Sequence, residues 1–156
     1  MSIVEPTDRI VQDCACTRRI VDWFECLQPQ TLGSISAIYA SNAHFRDPFN
    51  DVYGTADIQA VYEHMFEALE RPKFEVIESV VQGRQICLVW LFRFNWRAKS
   101  FEIEGATLFD LDAEGLIARH RDYWDVAQGL YEHLPVLGSL LRMVRKKMAA
   151  PRVQLP

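Results

Sequence analysis

The stretch QICLVWLFRFNWRA, residues 85–98, decides the fold class of this chain, because apolar side chains occur along it with period two. That period is typical of a β-strand and not of a helix. One face is formed by aromatic and aliphatic side chains: Ile86, Leu88, Trp90, Phe92, Phe94 and Trp96. The other face is apolar in its middle and becomes polar at Arg93 and Asn95. Such a strand is expected to be buried on both faces.

The same alternation continues beyond this strand and predicts its neighbours. Strands are predicted at 44–48, 73–82, 85–98, 101–111 and 116–124. Helices are predicted over 7–28, 31–40, 55–72 and 125–148. The joins between the four long strands are short enough for hairpins. We therefore predict an α+β fold, a curved antiparallel sheet packed on N-terminal helices, with an internal apolar pocket and a C-terminal helix.

Length and composition favour one globular domain. The chain has 156 residues, of which 49% are hydrophobic and 24% charged, and we expect a single domain over 1–156 with a core at about 8–135 and a helical tail at 136–156. A net charge of −4 argues against nucleic-acid binding. No basic segment followed by an apolar one begins the chain, and no apolar run reaches the roughly 18 residues that span a bilayer.

Four cysteines occur without a C-x-x-C pair or a neighbouring histidine at metal-ligand spacing. We interpret them as reduced thiols in a cytoplasmic protein, and we predict no metal site.

The aromatic side of the long strand predicts a partner. Helices of the same chain can cover only one face of the sheet, and two Trp and two Phe exceed what a monomer normally exposes. We therefore expect a homodimer through the outer sheet face. The alternative is that the C-terminal segment folds back over these residues. Membrane association through the basic segment 134–148 is a weaker interpretation.

Several polar residues can converge on an aromatic pocket if the sheet curls. Asp47 ends the short strand, His120 and Asp122 share one face of the last strand, and Arg93 and Asn95 share a face of the long strand. A carboxylate with aromatic neighbours is desolvated and becomes a better proton acceptor near neutral pH.

Each of these residues also has a purely structural interpretation. Asp47 before a proline can cap a turn, His120 can be a wall residue, and Arg93 with Asp122 can be a structural ion pair.

Two segments resemble the nuclear-transport-factor-two-like superfamily. The first is the run 39–48 with Gly54 and Ile58, and the second is the ending 115–125. SnoaL-like polyketide cyclases, ketosteroid isomerases and limonene epoxide hydrolase belong to this superfamily. The resemblance covers roughly residues 8–135. It implies a cone-shaped α+β barrel with a deep apolar pocket that is usually cofactor-free, in a protein that is often dimeric.

Against ketosteroid isomerase, Asp47 falls on the catalytic base and Trp124 on a pocket aromatic. Trp23 lies near the position of the family's tyrosine, and Thr107 near that of its protonated aspartate. Without that acidic donor pair a dienolate loses stabilisation on the order of several kcal/mol. The resemblance therefore argues against a proficient steroid isomerase.

Against limonene epoxide hydrolase, Asp122 falls on one catalytic aspartate and Arg93 on the bridging arginine. Asn95 replaces the second aspartate, and Phe45 and Asp47 replace the tyrosine and asparagine that help to hold the water. The change to Asn95 removes a proton acceptor, which argues against epoxide hydrolysis.

In the SnoaL-like cyclases a pocket histidine and aspartate do acid–base work, and His120 with Asp122 resembles that pair. We predict a cofactor-free enzyme of isomerase, cyclase or hydrolase type that acts on a small apolar carbonyl compound. Catalytic roles are predicted for Asp47, Asp122, His120 and Arg93. Substrate contacts are predicted for Phe45, Trp23, Tyr53, Asn95, Thr107 and Trp124. The alternative is a non-catalytic ligand-binding or dimeric assembly module of the same fold.

Overall fold

The structure is a computed structural model that describes the backbone of residues 6–126 and 143, and the side chains of residues 15–126 and 143. The chain divides into two compact units, Met1–Trp124 and Asp125–Pro156. The predictions for the C-terminal helix and its basic segment fall outside the described residues. No helix in the described part of the chain is long and apolar enough to cross a membrane.

The predicted α+β fold class is confirmed. The elements are α1 (Pro6–Glu25), a 3-10 helix (Pro29–Ala37), β1 (Tyr39–Arg46), β2 (Asp51–Tyr53), α2 (Thr55–Ala68), β3 (Glu70–Gln82), β4 (Gln85–Trp96), β5 (Lys99–Leu111) and β6 (Ile117–Trp124). The second predicted helix is a 3-10 helix, held at its start by Thr31, whose hydroxyl accepts the Gln28 N–H at 2.9 Å. β1 begins at Tyr39 rather than at 44, and β2 lies between β1 and α2, where no strand is predicted.

The six strands form one curved, open sheet in the order β2-β1-β6-β5-β4-β3. Consecutive long strands pair as antiparallel hairpins, as their short joins predict. β1 and β6 instead run parallel, with His44 opposite Arg119. Hairpin spacing does not reveal this pairing, because α2 and four strands separate the two partners in the chain. The sheet is therefore mixed.

The aromatic row of β4 lies on the concave face of the sheet. Trp90, Phe92 and Phe94 are only 6%, 9% and 5% exposed, and their rings pack against Phe74 of β3 and Phe101 of β5. The row is therefore interior and is not the exposed surface on which the dimer prediction rested. The interpretation in which the C-terminal segment covers it falls outside the described residues.

The opposite, outer face has an apolar centre between two charged zones. At one end Arg93 forms ion pairs with Glu75 and, at 2.6 Å, with Glu102. At the other end Arg119 pairs with Asp110. These hydrogen bonds raise the pKa of Arg93 and lower the pKa of Asp110.

Candidate functional site

A small cavity lies between the helices and the concave face of the sheet. Its volume is about 30 Å³, enough for about two water molecules. Most of its walls are apolar and aromatic. The lining residues are Phe24, Tyr62, Phe74, Val76, Leu88, Trp90, Thr107, Phe109, His120 and Asp122.

The Asp122 carboxylate is the only acidic group among these lining residues, and neighbouring donors hold one of its oxygens. His120 Nε2 lies 2.8 Å from Asp122 Oδ1, and the Thr107 hydroxyl donates to the same oxygen. Trp90 Nε1 donates to Thr107 Oγ1 at 2.8 Å. Because the indole can only donate, the one hydroxyl hydrogen of Thr107 is left for Asp122. The direction of this half of the network is therefore fixed.

The other ring nitrogen of His120 is connected to the cavity by hydrogen bonds through two tyrosines. His120 Nδ1 lies 2.7 Å from the Tyr39 hydroxyl, and that hydroxyl lies 2.8 Å from the Tyr62 hydroxyl. Burial raises the pKa of both tyrosines well above the usual range, so both hydroxyls stay protonated at neutral pH. We call Asp122, His120, Tyr39 and Tyr62 the buried chain.

Ionised Asp122 gives the buried chain one direction. A carboxylate accepts only, so His120 Nε2 carries a hydrogen and donates it. In a neutral imidazole Nδ1 then accepts from Tyr39, and Tyr39 accepts from Tyr62. Every donor points toward Asp122. Among the described residues, none donates to the second oxygen, Oδ2, and the Asp122 side chain is 16% exposed.

Strand register brings these side chains together. On β6, His120 and Asp122 are two residues apart and share the concave face. β5 pairs with β6 so that Thr107 lies opposite Asp122. These positions follow from the alternation that the sequence shows.

Gly105 makes the contact between Trp90 and Thr107 possible. It lies opposite Trp90 in the β4–β5 pairing, and a Cβ atom built on it would come within 2.4 Å of the indole Cη2 atom. Because Gly105 has no side chain, the indole of Trp90 lies against the β5 backbone, and its N–H reaches Thr107.

Asp47 stabilises a turn and does not line the cavity. Its Oδ1 accepts the backbone N–H groups of Phe49 at 2.7 Å and Asn50 at 2.6 Å, and its Oδ2 accepts the Asn50 side-chain amide at 2.9 Å. This arrangement matches the structural interpretation of Asp47 that the following proline suggested.

The remaining aromatic candidates differ in their distance from the cavity. Phe45 is 2% exposed and its ring centroid lies 4.4 Å from that of His120. Trp23 packs edge-on against Tyr39 and Tyr62, one layer behind the lining residues. Trp124 is half-buried and packs against the exposed ring of Phe49.

Tyr53 lies away from the cavity. It is 65% exposed and stacks on His44 at 4.2 Å, so the structure corrects its predicted substrate contact.

The structure also corrects the predicted convergence of Arg93 and Asn95 with Asp122. Both project from the outer face of β4, where Arg93 pairs with glutamates and Asn95 accepts from Ser100 at 2.9 Å. Residues at odd positions of β4 point away from Trp90 and its row, so they cannot also face the concave side.

Sequence reasoning missed Tyr39, Tyr62 and Trp90 as polar participants. Trp90 is predicted only as part of the aromatic row, and no polar contact is predicted for Tyr39 or Tyr62. The available signal is that a buried Tyr or Trp usually finds a partner for its O–H or N–H. In the described residues, no cluster of three or more His, Cys, Asp or Glu is arranged to hold a metal ion.

Residues 20–120 match the family described as SnoaL-like domain. No curated protein matches the chain.

Solved structures share the fold at low sequence identity. An LEH-like epoxide hydrolase from Mycobacterium tuberculosis is 12% identical, with a TM-score of 0.63 over 86% of this chain and 97% of the other. A protein of ketosteroid isomerase-like fold from Catenulispora acidiphila DSM 44928, in complex with trimethylamine, is 15% identical, with a TM-score of 0.63 over 74% and 88%. Another Mycobacterium tuberculosis protein, in complex with estradiol-17β-hemisuccinate, is 16% identical, with a TM-score of 0.59 over 73% and 94%.

Proposed function

The chain belongs to the SnoaL-like family, and on that premise we propose that it is a cofactor-free enzyme that moves protons on a small, mostly apolar, carbonyl-bearing molecule. Its reaction type is that of an isomerase, a cyclase or a hydrolase. The observation that carries the proposal is an aspartate that lines an apolar cavity while a buried chain of donors holds one of its oxygens.

Asp122 is the proposed base. His120 and Thr107 both donate to Oδ1, which fixes the carboxylate plane and leaves Oδ2 for a substrate proton. Asp47 is not assigned this role, because both of its oxygens accept hydrogen bonds within the turn. A positioned general base typically contributes about 10²- to 10⁴-fold in rate.

The cavity volume constrains the substrate. About 30 Å³ is far below the roughly 300 Å³ or more of ordinary ligand pockets. Phe74 and Val76 are the half-buried cavity walls on the edge strand β3, and their movement would enlarge it. The substrates to screen first are therefore small ketones and aldehydes.

Deuterium uptake by small ketones tests this assignment. Wild-type protein is incubated in D2O with propanone, butanone and cyclopentanone, and exchange at the α-carbons is followed by NMR. Asp122→Asn is expected to lower catalysed exchange about 10²- to 10⁴-fold. Asp110→Asn is the matched control, since it removes a carboxylate from the outer face of the adjacent strand. If Asp47→Asn loses catalysed exchange and Asp122→Asn retains it, the assignment of Asp122 as the base is refuted.

The small cavity also favours a second candidate function, a dimeric assembly module without catalysis. Its surface is the apolar centre of the outer sheet face, which we call the outer patch. The outer patch consists of Val80, Cys87, Val89, Leu91, Ala106 and Leu108, all half-buried or exposed. The charged zones at Arg93 and Arg119 flank it. An apolar centre with a polar rim is the usual anatomy of a protein interface.

We propose that two copies associate through the outer patch, whether or not the protein is an enzyme. Analytical ultracentrifugation is expected to give a dimer for the wild type and a monomer for Val89→Asp, which places a charge in the middle of the outer patch. Ile77→Asp is the control, because Ile77 is already 54% exposed at a β-bulge outside the patch. A monomeric wild type, or equal dissociation of both variants, would rule out this interface.

A further inference from the structure

The buried chain has two ends, and both line the same cavity. Asp122 is at one end and Tyr62 at the other, while His120 and Tyr39 connect them through three hydrogen bonds of 2.7–2.8 Å. Tyr39 is 1% exposed and does not line the cavity, so it contacts the chain and not the occupant. A base and a hydroxyl donor that face one small space are therefore joined through the protein interior.

We propose that the buried chain is a two-ended proton relay, in which a proton exchanged between Asp122 and a substrate carbon is matched by a proton exchanged in the opposite sense between Tyr62 and the oxygen of the same substrate. This inference rests on the proposed function, because it needs Asp122 to act as the base. It adds a second catalytic residue, Tyr62, and assigns Tyr39 a positioning and conducting role that its burial alone would not suggest.

The chemistry of each link permits the transfer. An imidazole accepts a proton on one nitrogen while it releases one from the other, so His120 can change tautomer without becoming charged. A hydroxyl likewise donates and accepts at once. Burial keeps both tyrosines protonated, so each has a hydrogen to pass on. Hydrogen-bonded groups in a low-dielectric interior also polarise one another.

The proton balance closes over the conversion of an enol to its ketone, which starts from the hydrogen arrangement described above. The enol O–H bond breaks and its proton passes to Tyr62, its electron pair forms the C=O bond, and the C=C electron pair takes a proton from Asp122. Tyr62 passes a proton to Tyr39, Tyr39 passes one to His120 Nδ1, and Nε2 passes one to Asp122. The protein gains and loses one proton, and every donor now points toward Tyr62.

The reverse sequence, an enolisation, returns the protein to its starting state. Asp122 takes the proton of a C–H bond next to the carbonyl, the shifts run toward Tyr62, and Tyr62 gives its proton to the carbonyl oxygen. If that carbon differs from the first, the net result is an isomerisation. The substrate class follows from the two ends of the relay: one molecule must present an exchangeable C–H bond to Asp122 and a carbonyl or enol oxygen to Tyr62. Hydrocarbons and isolated alcohols do not meet both conditions.

Tyr39→Phe tests the relay, because it cuts the chain in its middle and leaves both cavity-lining ends in place. In the ketone exchange assay we expect the rate to fall at least tenfold in Tyr39→Phe and in Tyr62→Phe. In the double variant Tyr39→Phe/Tyr62→Phe, the exchange rate should fall no further than in Tyr62→Phe alone. The effects of substitutions in residues that act as one unit are not additive. Tyr123→Phe is the matched control, a 54% exposed tyrosine on the outer face.

A proton inventory separates conduction from structural support. Loss of deuterium from labelled butanone is measured in mixtures of H2O and D2O. Several protons in flight give a curved dependence of rate on deuterium fraction, which should become linear in Tyr39→Phe. Thermal melts of the same variants show whether the fold is retained, and lowered stability alone would not straighten the curve.

The outcomes distinguish the two proposals. One outcome is that exchange depends on Asp122, while Tyr39→Phe has the same rate as the wild type and the same dependence of rate on deuterium fraction. That outcome would overturn the relay and leave the proposed function standing. Wild-type protein that exchanges none of the three ketones, or exchange unchanged in Asp122→Asn, would overturn both.

Discussion

Replacing Gly105 by alanine puts a methyl group where the ring of Trp90 lies. The Cβ atom would be 2.4, 2.5 and 2.9 Å from three carbons of the indole. Real Cβ atoms do not approach other atoms so closely, so the ring has to move. Trp90 is 6% exposed among packed aromatic neighbours, and its N–H donates to Thr107. A shift of the ring therefore disturbs both the packing and the hydrogen bond.

The expected change in the free energy of unfolding of Gly105→Ala follows from these two effects and from a third that opposes them. Overpacking a well-filled core costs about 1–3 kcal/mol. Losing the hydrogen bond to Thr107 costs about 1 kcal/mol. The smaller backbone entropy of alanine in the unfolded chain offsets about 0.4–1 kcal/mol. We expect a net loss of about 2 kcal/mol, which lowers Tm by roughly 4–8 °C for a chain of this size.

Thermal and urea unfolding of Gly105→Ala measure this loss, and Gly33→Ala is its matched control. Gly33 has no heavy atom within 4 Å of the position of a Cβ, so its substitution should leave stability unchanged or slightly raised. A double-mutant cycle with Trp90→Phe isolates the contact, because phenylalanine lacks the outer ring atoms that the methyl group meets. Gly105→Ala should cost less in that background.

Two results would refute the reasoning. One is a Gly105→Ala variant as stable as Gly33→Ala. The other is an equal cost of Gly105→Ala with and without Trp90→Phe, which would show that the indole does not lie against β5.

Two further predictions concern pH and a turn. Burial raises the pKa of Tyr39 and Tyr62 in the folded protein above their pKa in the unfolded chain. Their contribution to the free energy of unfolding is therefore complete below about pH 10 and is lost as the pH rises further. For the pair, the loss reaches up to about 2.7 kcal/mol per pH unit. Urea unfolding between pH 9 and 11 should show a shallower decline in Tyr62→Phe, and an identical decline would contradict the assignment. At the β4–β5 hairpin, Arg97 and Ala98 have φ of 50° and 60°, a left-handed conformation that costs a non-glycine residue about 1–2 kcal/mol. Ala98→Gly should therefore raise Tm, whereas Ala106→Gly within β5 should lower it, and a fall in both would contradict the turn geometry.

The local periodicity of the sequence accounts for most of the fold and for one end of the site. Alternation along β6 places His120 and Asp122 on the face toward the helices, and the structure has them there. The same alternation, applied strictly to β4, places Arg93 on the face opposite Trp90. Expecting it beside Asp122 relied on the curl of the sheet to bring polar groups together, although the period of the strand places the two residues on opposite faces.

The other end of the site could not be predicted from local patterns. Tyr39 reaches His120 only because β1 lies beside β6, and Tyr62 reaches Tyr39 only because α2 packs on β1. Neither pairing has a signal in sequence spacing. For Asp47 the opposite holds: its hydrogen bonds are to residues two and three positions along the chain, and the proline that follows it already indicated a turn.

The parallel contact between β1 and β6 has a consequence for how the protein is made. Strands β3 to β6 can pair one after another through neighbouring hairpins, whereas β1 must close a loop that contains β2 to β5 before it can pair with β6. Contacts of such long sequence separation slow folding, and we expect β1 to dock late. During synthesis, Tyr39 leaves the ribosome about eighty residues before His120, so its hydroxyl cannot hydrogen-bond to His120 until then. We therefore expect the hydrogen bond between Tyr39 and His120 to form late in folding.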